Sequence, residues 1–276
     1  MKYQNTRPPA RTFRSWKSVV LLVCALLAFP ATNANAALPD AGWAGPAGAP
    51  DAASANRAKT NPVTDVTMRF TVPALACDRT KAEEHVGIWI GMDSDTDAWH
   101  PLTQVGLIGW CLKGDFMDWH GFWETISNNP ATADPPATNI PSIGHIQPGS
   151  VVTIRLDYVP NIAPDLFLAD FKVWNGSVVA KSATQYIQSP YWASRSRGEC
   201  ITERLGKPDK SHWPVAHFGD FTASCVVGAT TGAGAHVSDF LPDGSSVWFT
   251  AKERGKTYII AKPLGQFSIN FHWLLS

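Results

Sequence analysis

Apolar and polar residues alternate with a period of two along many short segments of this chain. Val66, Met68, Phe70 and Val72 alternate with Thr67, Arg69 and Thr71. Val152, Ile154, Leu156 and Tyr158 alternate with Thr153, Arg155 and Asp157, and Phe267, Ile269, Phe271 and Trp273 with Ser268, Asn270 and His272. Successive side chains on a strand point to opposite faces, so each segment reads as a strand with one buried face. Further strands are predicted at 85–92, 102–110, 121–126, 167–174, 178–182, 199–203, 216–224, 246–251 and 258–261. Asn175-Gly176 lies between two of them, and both residue types accept positive φ, which predicts a tight hairpin centred there. Pro, Asn and Ala fill 127–142, which reads as a loop. No stretch sustains a 3.6-residue period. The pattern predicts an all-β fold, an antiparallel β-sandwich.

The pattern is different before residue 65. Residues 1–36 carry five bases and no acid, then the apolar run Val19–Phe29, a break at Pro30, and Ala34-Asn35-Ala36. That order is the one of a secretory signal with a small-x-small cleavage site. The run is much shorter than the ~20 residues a bilayer-spanning helix needs. Residues 37–64 are rich in Ala, Pro, Gly and Asn with almost no large apolar side chain, and read as a linker or propeptide. The folded domain is expected at 65–276, with no second boundary.

Composition agrees with export. Charged residues make up 17% of the 276, and 12 are Trp. Without the five bases of the signal, 18 bases face 23 acids, a net charge of −5. Nothing in that balance favours nucleic acid or an anionic membrane as partner. Four cysteines remain outside the signal, Cys77, Cys111, Cys200 and Cys225, which predicts two disulfides in an oxidising compartment. Three pairings are open.

Several hydrolase signatures are absent: G-x-S-x-G, H-E-x-x-H, and Asp-Thr-Gly or Asp-Ser-Gly. Asp93-x-Asp95-x-Asp97 starts like a calcium loop, but Ala98 and Gln104 stand where that loop needs Gly and Glu, so it reads as a polar turn. The eight histidines form no H-x-H or H-x3-H pair; His212, His217 and His236 fall in the last third without a ligand spacing.

What remains is a set of short segments in a fixed order: Trp89-Ile90-Gly91-Met92-Asp93, then Gln104 two residues before Gly106, then Phe122-Trp123-Glu124, then Glu199-Cys200-Ile201-Thr202-Glu203, then Phe218-Gly219-Asp220-Phe221. The set resembles the glutamic peptidases, the eqolisin family, with their Trp-Val-Gly-Ile-Asp, Leu-Gln-Thr-Gly, Trp-Tyr-Glu-Trp and Ala-Glu-x-Ile-x-Glu segments. The resemblance covers roughly residues 66–225. It implies a concanavalin A-like, jelly-roll sandwich, a catalytic pair of Gln104 and Glu203, and a cleft lined by Trp89, Asp93 and Glu124. One extra residue between Asp93 and Gln104, Thr125-Ile126 in place of an aromatic pair, Arg204 after Glu203 and the mild acidity depart from the family pattern.

The implied chemistry is peptide hydrolysis. Glu203 would take a proton from water and pass it to the leaving amine, while the Gln104 amide orients the water and stabilises the oxyanion. An ordinary glutamate titrates near ~4.3, so activity at acidic to weakly acidic pH is expected. No metal or organic cofactor enters. The expected partners are polypeptide substrates, with no nucleic acid, no membrane after signal removal, and a monomeric state. A secreted carbohydrate-binding module, stacking sugars on Trp99, Trp110, Trp119 or Trp123, is the alternative.

Overall fold

Each alternating segment forms a strand. The computed structural model describes residues 43–48, 62–78, 80–81, 83–93, 101–112, 116–127, 134–160, 162, 165–191, 195–205, 214–229, 235–236, 247–253, 256–265 and 268–274. All of them belong to the unit Asp40–Ser276; the other unit, Met1–Pro39, holds none. The predicted export signal therefore lies outside the described residues, as do Asp95, Asp97, Trp99 and His212.

In chain order the strands are β1 (Trp43–Gly48), β2 (Val63–Thr71), β3 (Leu75–Ala76), β4 (Glu83–Asp93), β5 (Leu102–Leu112), β6 (Phe116–Ile126), β7 (Thr138–Asn139), β8 (Val151–Val159) and β9 (Leu166–Asn175). They continue with β10 (Val178–Gln188), β11 (Arg197–Glu203), β12 (His217–Phe218), β13 (Phe221–Ala229), β14 (Ala235–His236), β15 (Val247–Glu253), β16 (Lys256–Gly265) and β17 (Ser268–Trp273). No helix occurs among the described residues.

The hydrogen-bonded order is β10-β9-β8-β2-β13-β17-β16-β15-β1-β11-β4-β5-β6-β7, with β14 beside β13 and a separate β12-β3 pair. One end of this ribbon packs on the other. A single core takes Val66, Met68, Ile154, Phe171, Cys225 and Phe271 from one layer and Ile88, Ile90, Val105, Leu107 and Cys200 from the other. The result is an antiparallel β-sandwich, as the alternation predicts. At Gly198 the layers touch: a Cβ there would fall 2.8 Å from Val66 Cγ2 and 2.9 Å from Val227 Cγ1. The disulfides are Cys77–Cys111 and Cys200–Cys225, and the second ties β11 to β13 across the core.

Three expectations are corrected. Part of the segment read as linker or propeptide is a central strand: β1 lies between β11 and β15. Its small residues offer little side-chain burial, but they let three backbones approach. A Cβ at Gly45 would fall 2.1 Å from the Cys200 carbonyl oxygen, and Gly45 holds φ +147°, a conformation side chains disfavour. The domain thus begins before residue 65. The hairpin turn is Gly176-Ser177 rather than Asn175-Gly176, because Asn175 pairs with Val178 and only Gly176 has positive φ, at +61°. The strand expected at 216–224 divides at Gly219-Asp220: His217–Phe218 pairs with β3, and Phe221 onward pairs with β17 and β2.

The cross-layer disulfide closes a loop with a sequence separation of 25 residues, worth about 3 kcal/mol by loss of chain entropy in the unfolded state. Replacing Cys200 and Cys225 together by alanine is expected to lower the melting temperature by roughly 6–12 °C. Scanning calorimetry of the oxidised wild type and the variant checks this.

Candidate active site

The register of β1, β11, β4, β5 and β6 decides which side chains can meet. Residues directly opposite in an antiparallel sheet share a face, and so do residues two apart. One row across the strands reads Ala47, Glu199, Gly91, Gln104, Glu124. The next row on that face reads Gly45, Ile201, Trp89, Gly106, Phe122, with Gly45 aligned to Ile201 by the flanking pairs. The third reads Trp43, Glu203, Gly87, Ile108, His120. On the other side of the first row stand Arg197, Asp93 and Leu102. All five residues expected at the site, Trp89, Asp93, Gln104, Glu124 and Glu203, therefore lie on one face, turned away from the main core. Trp89, Phe122 and Ile201 form a second, smaller apolar cluster there, flanked by Trp43, Leu102 and Ile108.

Glycine shapes this face. A Cβ at Gly106 would fall 2.3 Å from the Ile88 carbonyl oxygen and 2.5 Å from Trp89 Cβ. At Gly91 it would fall 2.7 Å from Leu102 Cδ1 and 3.0 Å from Trp89 Cζ3. The missing side chains let the Trp89 indole lie along β4, with its Nε1 donating to Glu203 Oε2 at 2.6 Å.

Gln104 and Glu199 are both 2% exposed. Gln104 Nε2 donates to Glu124 Oε2 at 2.8 Å, and its Oε1 is buried without a hydrogen-bond partner among the described residues. The amide is thereby fixed at one end and free at the other. Arg197 donates from Nε and from a terminal guanidinium nitrogen to Asp93 Oδ2, the former at 2.8 Å, and its Nε also lies 3.1 Å from Glu199 Oε1.

Burial makes these carboxyls hard to ionise. Glu199 is pushed up, first by burial and then by the neighbouring Asp93 charge, with Arg197 acting in the opposite sense. Glu203 is pushed up to about 8 by burial, against the Trp89 hydrogen bond. Glu124 is raised by burial, partly offset by the Gln104 hydrogen bond.

Gln104 meets Glu124, and Glu203 meets Trp89; the structure does not pair Gln104 with Glu203. Glu203 stands two strands over and four residues along from Gln104, about 13 Å along the strand direction alone at ~3.3 Å per residue. Glu199 is in the row of Gln104, two strand spacings or about 9.6 Å away with only Gly91 between. Sequence reasoning quoted Glu199 without giving it a role and passed over Arg197. The signal was there: residues four apart on a strand share a face, so Glu199 and Glu203 were equally eligible, and only the register chooses between them.

The family model described as the Peptidase A4 family matches residues 42–262, starting at the edge of β1. The fold is similar to that of scytalido-glutamic peptidase solved with a transition state analog inhibitor: TM-score 0.62, 13% identity, 85% of this chain and 99% of that one. It is also similar to SCP-B, a member of the eqolisin family solved with the tripeptide Ala-Ile-His: TM-score 0.58, 12% identity, with the same coverage of 85% and 99%. No curated protein sequence matches this chain. At such identities the solved structures speak for the fold, while the model match spans most of the chain, and on that ground the chain belongs to the Peptidase A4 family, the eqolisins, and is a glutamic-type endopeptidase.

Proposed function

We propose that this peptidase activates water with Gln104 and Glu199, and that Glu203 serves as the anchor of Trp89 rather than as the catalytic acid. The observation that carries this reading is the row Glu199, Gly91, Gln104, Glu124, in which a buried amide and a buried carboxyl flank a glycine.

Side-chain reach favours it. A glutamate and a glutamine with Cα atoms about 9.6 Å apart extend far enough to hold one water between their ends. The Gln104 carbonyl accepts a hydrogen bond from one O–H of that water, which the water keeps, and so aims its lone pair. Because Nε2 is tied to Glu124, Oε1 is turned the other way, and the second N–H remains for the developing oxyanion. Ionised Glu199 takes the other proton as the water oxygen bonds to the scissile carbonyl carbon. It then returns that proton to the leaving amine as the C–N bond breaks. Atoms balance without a further reagent.

The same burial changes the pH range expected from an ordinary glutamate. A raised pKa makes Glu199 a stronger base that is less often ionised. Its active form grows as pH rises through the acid range, so kcat/KM should increase toward neutrality. We also propose export from the cytoplasm, which the two disulfides support. Family membership removes the carbohydrate-binding alternative.

Cleavage of casein in the presence of pepstatin tests the pair. Glu199→Gln is expected to abolish turnover, and Gln104→Ala to reduce kcat by roughly 10²–10³-fold. Glu203→Gln should retain measurable kcat; the reverse ranking of the two glutamate variants would restore Glu203 as the catalytic group.

A second outcome concerns stability. Glu203 binds its proton more tightly folded than unfolded, so it stabilises the fold fully below about 4.5 and loses that contribution as pH rises to about 8. Across that window the melting temperature of Glu203→Gln should fall less steeply than that of the wild type, as read by differential scanning fluorimetry in a pH series.

A further inference from the structure

We propose that Arg197 is a positioning residue of this site: by holding Asp93 as its counter-ion it leaves Glu199 as the carboxyl that exchanges a proton with the catalytic water. The inference rests on the Gln104–Glu199 reading and assigns the charge that makes it work.

Arg197 and Asp93 are direct cross-strand partners, and Glu199 is two residues on from Arg197 on the same face. Two guanidinium N–H groups converge on one oxygen, Asp93 Oδ2. Among the described residues no N–H donates to the other oxygen, Oδ1, which is buried beside the Glu199 carboxyl, and Arg197 Nε stands 3.1 Å from Glu199 Oε1. Asp93 is 4% exposed and Glu199 2%. Two buried carboxyls on neighbouring strands cannot both stay ionised without a cation, because their mutual repulsion is poorly screened. A fork-shaped cation seated on one of them also offsets the repulsion felt by the other. Here it is bound to Asp93. Arg197 itself is 21% exposed, so its charge sits at the rim while the carboxyls lie beneath.

The other groups facing Glu199 do not replace this cation. From β1 the opposite residue is Ala47, and from β4 it is Gly91, neither of which titrates. Glu203 on the same strand and Asp93 both oppose ionisation of Glu199, and Arg197 favours it. Glu124 stands at the far end of the row, engaged with Gln104. Arg197 is thus the cation that makes the ionised, proton-accepting form of Glu199 accessible. Removing it should shift ionisation of Glu199 to higher pH; removing Asp93 should shift it to lower pH.

The experiment follows Glu199 in the full-length protein by carboxyl-carbon NMR of glutamate-labelled samples, with Glu199→Gln identifying the resonance. The pH profile of kcat/KM is recorded on the same variants. Arg197→Gln is expected to move both the NMR midpoint and the acid limb upward by about 1–3 pH units. Asp93→Asn should move both down, and Arg197→Lys should return most of the Arg197→Gln shift. An unmoved midpoint in Arg197→Gln, or the same direction of shift in both neutral variants, overturns the proposal. Failure of the underlying reading looks different: Glu199→Gln would then remain active while the NMR midpoints still shift as stated. A melting temperature recorded for each variant separates loss of fold from loss of charge.

Discussion

The antiparallel pairing of β11 with β4 is the constraint on which the site depends. It sets Arg197 against Asp93, Glu199 against Gly91, Ile201 against Trp89 and Glu203 against Gly87. A charged residue of β11 meets a glycine of β4 in two of the four places, at Glu199 and Glu203. A slip of one residue would send every one of these side chains into the sandwich core. The main core on the reverse face, with Ile88, Ile90 and Cys200 at 0% exposure, holds the register against that slip. The apolar alternation that makes the fold is therefore also what aligns the polar chemistry on the opposite side.

Electrostatics on the exposed side follow from the same geometry. Carboxyls packed into a sheet face lose water, and burial makes Glu124, Glu199 and Glu203 harder to ionise than in solution. Glu124 receives an amide donor, Glu203 an indole donor, and Asp93 a guanidinium. Glu199 has the Asp93 carboxyl as a hydrogen-bonding neighbour and the Arg197 Nε 3.1 Å from its Oε1. The face thus sorts four chemically similar acids by the partner each is given. That division of labour is how one sheet can hold structural and reactive carboxyls a few ångströms apart.

The strand-level architecture was legible in the sequence because period-two alternation is a direct image of one-sided burial. The resemblance likewise brought Trp89, Asp93, Gln104, Glu124 and Glu203 together on one surface. Three things were not legible. β1 has no large apolar side chain except Trp43, so its contribution comes through backbone bonding and thinness, which leave no hydrophobic pattern. The hairpin shifted by one residue because a two-residue turn needs only its first position at positive φ when that position is glycine. The choice between Glu199 and Glu203 depends on which residue of β4 each faces, and inter-strand register is a tertiary property that no local segment encodes.

β1 also bears on how the two arms of the ribbon hold together. It is the one described strand bonded to both β15 and β11, so the hydrogen-bond ladder passes from one arm of the ribbon to the other through Trp43–Gly48. Shortening the chain ahead of Trp43 leaves that passage whole. The six-residue strand is held by its two ladders, by Ala44 in the main core and by Trp43 against the smaller cluster, and the arms are otherwise joined by packing and by Cys200–Cys225. Six residues without a large side chain except at one end thus join the two arms, so the continuity of the whole ribbon rests on its thinnest member.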